Sequence, residues 1–374
     1  MKATIAVEAT DGGARAGVVT TARGTFATPC FMPVATRGAV RHLSAVDLER
    51  LGFEVVLANT YHLSLRPGHH TVEDLGGLHG FMDWSGQVLT DSGGYQIFSL
   101  EPKVDDDGAT FRSTYDGDLV RFTPESAVAV QEALGADIQM VLDVCPPLPS
   151  EPRVIRDAVE RTAAWAARAR AAHTRVEDQC LFGIVQGGVD VDLRAESAER
   201  TVALDFDGYG IGGLSVGEPL VDMLPALEAT TAALPVDQPR YLMGVGDPVG
   251  ILEGIARGVD MFDCVLPSRL GRHGTVLTGT GRLNLRNQRF GTDEGPLDPD
   301  CGCEVCARHS RAYLRHLLKT DEPTGPRLLT LHNLAWLLDL VHQAGAAVRS
   351  GELDRLCAEV GSHWPDRPTG TTPR

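Results

Sequence analysis

The chain has 374 residues, of which 43% are hydrophobic and 22% charged, so it can form one large α/β barrel or two ordinary domains. Its start, MKATIAVEAT, lacks a long apolar segment, and no run of about eighteen apolar residues follows. These features exclude a secretory signal and a membrane-spanning helix, and they predict a cytoplasmic protein. The net charge of −16 alone argues against a nucleic-acid partner, because phosphates are neutralised by Lys and Arg.

Eight short apolar runs follow one another along the chain, mostly separated by segments with helical spacing. The runs are apolar throughout rather than alternating, which is typical of strands covered on both faces. Helices are predicted after Thr123-Pro124 and Asp247-Pro248, where a capping residue precedes proline, and a long Ala- and Arg-rich helix follows Ser150. The apolar runs cover residues 30–35, 55–59, 88–91, 138–143, 181–186, 209–213, 241–245 and 259–264.

This alternation predicts an α/β protein with a (β/α)8 TIM barrel, and an open doubly wound sheet is the alternative because counting strands does not prove closure. Residues 100–122 interrupt the alternation and are expected to form an inserted hairpin. We predict a catalytic barrel in residues 1–295, a zinc-binding subdomain packed on it in residues 296–340, and a C-terminal helix and tail in residues 341–374. The end of that tail, residues 365–374, is polar and is expected to be frayed.

Groups able to do chemistry stand at the ends of six of these runs. The C-terminal ends of the strands of a barrel face one mouth, so these groups should converge in a single pocket. Each of them taken alone could instead be a helix cap or a turn residue. The six are Asp91, Asp143, Gln186, Gly213, Gly244 and Asp263.

The same groups fit glycosidic chemistry at a purine nucleotide. Of the two carboxylates Asp91 and Asp263, one can attack an anomeric carbon while the other passes protons to and from the leaving group. Asp143 can accept hydrogen bonds from the amidine edge of a purine, whereas Gln186 and the N–H of Gly213 can donate to a carbonyl oxygen. Surfaces for stacking an extruded base are offered by Tyr95 and Met243.

An acid-free basic stretch follows Asp263 directly. Residues 265–290 contain no Asp or Glu. Such a stretch is often a solvated cationic loop, but its position favours a patch that faces phosphates. Its cations are Arg269, Arg272, Arg282, Arg286 and Arg289, with His273 among them.

Three cysteines within six residues indicate a metal site. Cys301, Cys303 and Cys306 have a spacing typical of zinc ligands in a cytoplasmic protein. A closed tetrahedral site needs a fourth ligand, and His316 is better explained as a surface position on a helix. The candidates for that ligand are His309, His316 and His332.

Five motifs, occurring in order, resemble those of bacterial tRNA-guanine transglycosylases. The likeness extends from about Thr10 to about Leu340, which is nearly the whole chain. It implies a (β/α)8 barrel that replaces the wobble guanine of tRNAs with a G-U-N anticodon by a 7-deazaguanine, a step toward queuosine. The motifs are TDSGGYQ at residues 90–96, GIVQG at 183–187, GGLSVGE at 212–218, YLMGVG at 241–246 and DMFDCVLP at 260–267.

The resemblance also implies roles for residues. Asp263 matches the nucleophile that bonds covalently to the ribose, and Asp91 matches the general acid and base of a double displacement that needs neither ATP nor a redox cofactor. The residues that would bind the base are Asp91, Ser92, Gly93, Gly94, Tyr95, Asp143, Cys145, Gln186, Gly213, Leu214 and Met243. The residues that would bind the tRNA are Gly244, Val245, Gly246, Asp247, Pro248, Val249, Gly250, Ser268, Arg269, Leu270, Gly271 and Arg272.

The resemblance selects His332 as the fourth ligand, because the family places its histidine in a Thr-x-His-Asn context that matches residues 330–333. One Zn2+ held by four protein ligands would leave no open position, so it is expected to be structural. Cys145 and Val216 imply 7-aminomethyl-7-deazaguanine rather than queuine as the incoming base. Val144 stands where the family usually has Glu, which puts a local hydrogen bond in doubt. A homodimer is also implied.

Two other functions fit part of the pattern. A barrel glycoside hydrolase would use Asp91 and Asp263 in the same way but would need neither the arginine stretch nor the purine-reading groups. A non-catalytic tRNA-binding subunit would not need both carboxylates, and this chain retains both.

Overall fold

A small antiparallel sheet precedes the barrel in the computed structural model, which describes residues 3–364. The sheet was not predicted, and the expected fraying of residues 365–374 lies outside the described residues. Arg15 anchors the sheet to the barrel, because its Nε donates to Oδ1 of Asp260 at 2.7 Å and both side chains are buried. The sheet comprises Thr4–Asp11, Ala14–Thr20 and Thr25–Thr28.

All eight apolar runs become parallel strands of one closed barrel. The eighth strand pairs with the first, with Met261 opposite Cys30, so the open-sheet alternative is wrong. The later strands are shorter than the runs, which places several of the polar groups just beyond the strand ends. The strands are Cys30–Ala35, Val55–Asn59, Gln87–Asp91, Ile138–Met140, Cys180–Val185, Gly208–Ile211, Arg240–Leu242 and Met261–Cys264.

The insertion after the third strand is larger than the predicted hairpin. A third strand, Leu119–Phe122, pairs antiparallel with Gly108–Arg112, which itself pairs with Lys103–Asp105. Arg168 donates to the Asp106 carbonyl oxygen at 2.9 Å and thereby ties the insertion to a barrel helix. The insertion is therefore a three-stranded sheet held against the outer layer.

Helices cover the outside of the barrel and begin where the capping signals predict. Thr123 accepts a hydrogen bond from the N–H of Ser126, and Asp247 accepts one from Gly250. The long helix after Ser150 begins at Pro152. The α-helices are Ala45–Leu51, Thr60–Leu65, His69–Asp74, Gly77–Met82, Gly94–Phe98, Pro124–Leu134, Pro152–Ala172, Val191–Val202, Leu220–Ala233, Pro248–Ala256, Leu266–Arg272, Glu304–Arg308, Arg311–Lys319, Thr324–Ser350 and Leu353–His363, with a 3-10 turn at Gln288–Phe290.

The chain after the eighth strand builds a C-terminal layer around the helix Thr324–Ser350. This helix packs against Leu266–Arg272 and against a two-stranded sheet formed by Thr275–Thr278 and Gly281–Asn284. The helix runs across the predicted boundary between residues 340 and 341 without a break. The division into three domains stays a prediction. None of the helices in residues 3–364 is both long and apolar enough to cross a membrane.

Candidate active site

Asp91 ends the third barrel strand and is held by donors from the neighbouring strand end. Its carboxylate accepts hydrogen bonds from Asn59 Nδ2 at 2.6 Å and from the N–H groups of Thr60 and Gly93, each at 3.1 Å. Burial, with a smaller contribution from the negative charge of Asp263, raises the pKa of Asp91 to about 7 against the lowering effect of these donors. Asp91 can therefore take up and release a proton near neutral pH.

Asp263 lies on the eighth strand and has a different set of partners. Tyr241 donates its hydroxyl to Oδ1 at 2.6 Å, and the N–H of Gly244 donates to the same oxygen at 2.7 Å. Burial raises the pKa of Asp263, and both donors lower it. Within residues 3–364 no hydrogen bond reaches Oδ2, so one oxygen is fixed and the other is available to attack an electrophile.

Asp143 and Gln186 lie just beyond the ends of the neighbouring fourth and fifth strands, and their side chains are in contact. Gln186 Nε2 donates to Asp143 Oδ2 at 2.6 Å, and burial raises the pKa of Asp143 to about 6. A Cβ on Gly94 would lie 2.7 Å from Asp143 Oδ1, and one on Gly213 would lie 2.1 Å from Gln186 Oε1. Both glycines are thus required by close packing around the polar groups that were predicted to read a purine.

A groove of about 540 Å³ opens beside this cluster. Tyr95, which is 64% exposed, lies along it with Cys145 and Val216. Burial raises the pKa of the Cys145 thiol to about 12, so this side chain is neutral. Val144 also lines the groove, and its N–H donates to Thr162 Oγ1 at 3.0 Å, so the backbone there is fixed without a carboxylate at this position.

The other residues predicted to bind the base fall into two groups, turn residues beside Asp91 and apolar residues that are buried or half-buried. Ser92 accepts a hydrogen bond from the N–H of Gly94 at 3.3 Å, and Gly93 has the left-handed φ of 80° that begins the following helix. Leu214 is buried, and Met243 is half-buried beyond the end of the seventh strand. Ser92 and Gly93 therefore shape the turn that carries Asp91.

The segment 244–250 is mostly packed into the protein. Gly244 is exposed, whereas Val245, Gly246, Pro248 and Gly250 are buried, and Val249 is half-buried. Asp247 caps the following helix. Gly244 is therefore left as the most accessible position of this predicted tRNA-binding stretch.

The helix Leu266–Arg272 carries the predicted phosphate-binding arginines. Its Ser268 and Gly271 are buried, Leu270 is half-buried, and Arg269 and Arg272 are partly exposed. Burial lowers the pKa of Arg272, and the positive charges of Arg41 and Arg269 lower it further. Three cations therefore lie close together, and within residues 3–364 none of them forms an ion pair with a carboxylate, which favours an anionic ligand.

The remaining cations of the basic stretch have structural contacts. Arg286 donates to the Leu318 carbonyl oxygen at 3.1 Å, Arg289 lies 4.6 Å from the Phe290 ring centroid, and Arg282 lies 5.9 Å from that of Trp364. These three side chains stay exposed despite their contacts, and we use the name basic patch below for the group formed by Arg41, Arg269 and Arg272.

The predicted metal ligands come together in one group. The Sγ atoms of Cys301, Cys303 and Cys306 and one nitrogen of His332 all lie within 4.8 Å of one another. His332 Nε2 is 2.8 Å from the Leu277 carbonyl oxygen, so this nitrogen carries the proton and Nδ1 can bind a metal. His309 instead stacks on Tyr313. The Cys3His group could hold one metal ion.

Several residues at the mouth were missed by sequence reasoning. Asn59 is a polar residue at the end of the second apolar run, and the rule applied to the other run ends would have identified it. Tyr241 and Glu218 stand in two of the quoted motifs, but no role was predicted for either, and Arg41 lies in a loop far from Asp263 in the sequence. The carboxylate of Glu218 accepts hydrogen bonds from the N–H groups of Ser215 and Val216.

A closed barrel with paired carboxylates at its C-terminal mouth defines a (β/α)8-barrel enzyme. The family model described as queuine tRNA-ribosyltransferase matches residues 10–366. The chain is 54% identical to the queuine tRNA-ribosyltransferase of Herpetosiphon aurantiacus over 92% of this chain and 88% of the relative. It is 56% identical to that of Desulforudis audaxviator, over 92% and 93%. The chain belongs to this family and is a tRNA-guanine transglycosylase.

Proposed function

We propose that this enzyme exchanges the wobble guanine of tRNAs with a G-U-N anticodon for 7-aminomethyl-7-deazaguanine. The observation that carries the proposal is the pairing of two unlike carboxylates. Asp263 has one fixed oxygen and one available oxygen, and Asp91 has a pKa of about 7. This combination supplies a nucleophile and a proton carrier in one pocket.

The reaction proceeds by double displacement. Oδ2 of Asp263 attacks C1′ of the ribose, the bond from C1′ to guanine breaks, and Asp91 gives a proton to the departing base. The incoming base then returns a proton to Asp91 and attacks C1′, which releases Asp263. Asp143, Gln186 and Gly213 hold either base by its polar edge, and Tyr95 and Met243 stack on its faces.

A trapping experiment tests the covalent step. Wild-type protein incubated with tRNA is expected to form an adduct that resists denaturant, and the adduct should be absent with Asp263→Asn. Asp107→Asn, on the exposed turn of the insertion, is the control, because it removes a carboxylate outside the pocket and should leave the adduct unchanged. An adduct that persists in Asp263→Asn would move the nucleophile elsewhere.

A base-exchange assay tests both the choice of incoming base and whether the protein is catalytic. Labelled guanine should enter tRNA with a G-U-N anticodon and should not enter a control tRNA that carries adenine at the wobble position. Of guanine, 7-aminomethyl-7-deazaguanine and queuine, the second should be used best, because Cys145 and Val216, which the resemblance associates with this base, line the groove. Preferred use of queuine would overturn that choice of base. Failure of zinc-loaded protein to incorporate any base would favour a non-catalytic subunit.

We further propose that the Cys3His group holds one structural Zn2+. Four protein ligands of this type fit zinc and leave no position for a substrate. Cys303→Ser should lower zinc content and thermal stability together, whereas Cys357→Ser, on the C-terminal helix Leu353–His363, should change neither strongly. Full zinc stoichiometry in Cys303→Ser would overturn the ligand assignment.

The cytoplasmic location and the homodimer implied by the resemblance are also proposals. Sedimentation velocity of the zinc-loaded protein should give a mass twice that of the 40.0 kDa chain. A monomer that retains base exchange would contradict a required dimer.

A further inference from the structure

A fully buried arginine lies behind the candidate base pocket. Arg194 is on the helix Val191–Val202, which follows the fifth barrel strand, and its side chain is 0% exposed. Its Nε donates to the Gly188 carbonyl oxygen at 2.7 Å, and Nη1 donates to those of Val185 and Gly212 at 3.2 and 2.8 Å. Arg194 therefore links the ends of the fifth and sixth strands.

These two strand ends carry polar groups that were assigned to the base. Gln186 follows Val185 directly, and Gly213 follows Gly212. An ideal Cβ on Gly213 would lie 2.1 Å from Gln186 Oε1 and 3.6 Å from Arg194 Nη2. The guanidinium thus lies directly behind the wall that Gln186 and Gly213 present to the pocket.

The second terminal nitrogen of this guanidinium has no protein partner. Nη2 is buried and makes no hydrogen bond within the described part of the chain. Burial lowers the pKa of Arg194 to about 10, so the group is still a cation at neutral pH. Its positive charge extends into the pocket, because it lowers the pKa of Cys145 against the larger effect of burial. A buried cation with an unused donor is costly unless a ligand or function uses it.

We propose that Arg194 is a positioning residue for the purine carbonyl group. It fixes the backbone beside Gln186 and Gly213 through the carbonyl oxygens of Val185 and Gly212, and its charge lies behind the donors that are proposed to face the carbonyl oxygen. This inference rests on the proposed function, since it takes guanine as the leaving base.

The charge matters most while the glycosidic bond breaks. As the bond from C1′ to Asp263 forms, the electron pair of the C1′–N bond moves onto guanine and spreads to its carbonyl oxygen. A fixed positive charge behind that oxygen stabilises this state until Asp91 supplies the proton. Removal of the charge should therefore lower kcat for base exchange more than it raises KM for tRNA.

The experiment compares guanine with 2-aminopurine, which lacks the carbonyl oxygen. Inhibition constants for both are measured with zinc-loaded wild type, Arg194→Met and Arg194→Lys. The preference for guanine should fall about tenfold in Arg194→Met, the usual order of a hydrogen bond that involves a charged group. Arg194→Lys keeps the charge and should recover part of kcat. If Arg194→Met does not fold, Arg194→Gln removes the charge in its place.

Arg240→Met is the matched control. Arg240 is also a buried arginine that donates to backbone carbonyl oxygens, but it lies at the opposite, N-terminal end of the seventh strand. Its loss should lower stability and leave the preference for guanine unchanged. An unchanged preference and an unchanged ratio of kcat to KM in Arg194→Met would overturn the role of Arg194. Wild type that neither binds nor incorporates guanine would instead contradict the proposed function.

Discussion

The two carboxylates at the mouth differ because their donors differ. Asp91 receives hydrogen bonds on both oxygens, from Asn59 on one and from the N–H groups of Thr60 and Gly93 on the other. Asp263 receives both of its bonds on Oδ1. An acid with both oxygens bonded and a pKa of about 7 suits proton transfer, whereas an acid with one bare oxygen suits attack on carbon.

Tyr241→Phe tests how Asp263 is held. The change removes the donor 2.6 Å from Oδ1 and leaves the N–H of Gly244 in place. A hydrogen bond to a charged group contributes roughly 1.5–3 kcal/mol, so kcat should fall about ten- to a hundredfold. The affinity for free guanine should change little, because Tyr241 is not among the groups assigned to the base.

The pH profile of the same variant gives an independent measurement. The hydroxyl lowers the pKa of Asp263, so its loss raises that pKa and shifts the acid limb of the kcat profile to higher pH. A profile that coincides with that of wild type would mean that Tyr241 does not act on the attacking carboxylate.

At the scale of elements, the sequence predicted the strands and helices that are marked by a local residue pattern. The barrel strands were found because a continuous apolar run is typical of a strand covered on both faces. The strand Thr4–Asp11 was missed because most of its residues are exposed or half-buried, so it carries no such run. The roles of Arg194 and Tyr241 were missed because they depend on side-chain contacts with neighbouring strand ends, which a local pattern does not encode.

The Cys3His group and the basic helix are linked through two consecutive residues. His332 binds the Leu277 carbonyl oxygen through Nε2, and Asn333 Nδ2 donates to the carbonyl oxygens of Pro267 and Thr275 at 2.9 and 3.0 Å. Pro267 lies on the helix that carries Arg269 and Arg272. A metal ion bound by the Cys3His group would therefore help to hold the helix that carries Arg269 and Arg272.

Loss of the metal should affect RNA binding more than base binding. In Cys303→Ser, or after zinc chelation, tRNA affinity should fall about tenfold, because one or more phosphate contacts are weakened. Guanine affinity should stay close to that of wild type, since the pocket residues belong to barrel strands. Filter binding with labelled tRNA and calorimetry with guanine measure the two. Equal losses in both would show that the metal supports the whole barrel instead.

At the scale of the whole molecule, the pocket concentrates acids that oppose folding. Burial raises the pKa of Asp91, Asp143 and Asp263 above the ordinary value for aspartate. For such a group the contribution to stability is present below the unfolded pKa and is lost as the pH rises through the folded pKa. The contribution of these three carboxylates to stability thus decreases as the pH rises toward neutrality.

Asp143→Asn should recover this stability. The pKa of Asp143 is raised from 3.8 to about 6, so its ionisation costs roughly 3 kcal/mol, lost between about pH 4 and pH 7. Asn cannot ionise, so the Tm of the variant relative to wild type should increase from about pH 4 to about pH 7 and then stay level. Asp107→Asn on the exposed turn of the insertion is the control and should follow wild type at each pH.

The stabilised variant should lose guanine binding, because Asn replaces an acceptor with a donor at the purine edge. A Tm difference independent of pH would show that Asp143 is not a buried charge in the folded enzyme.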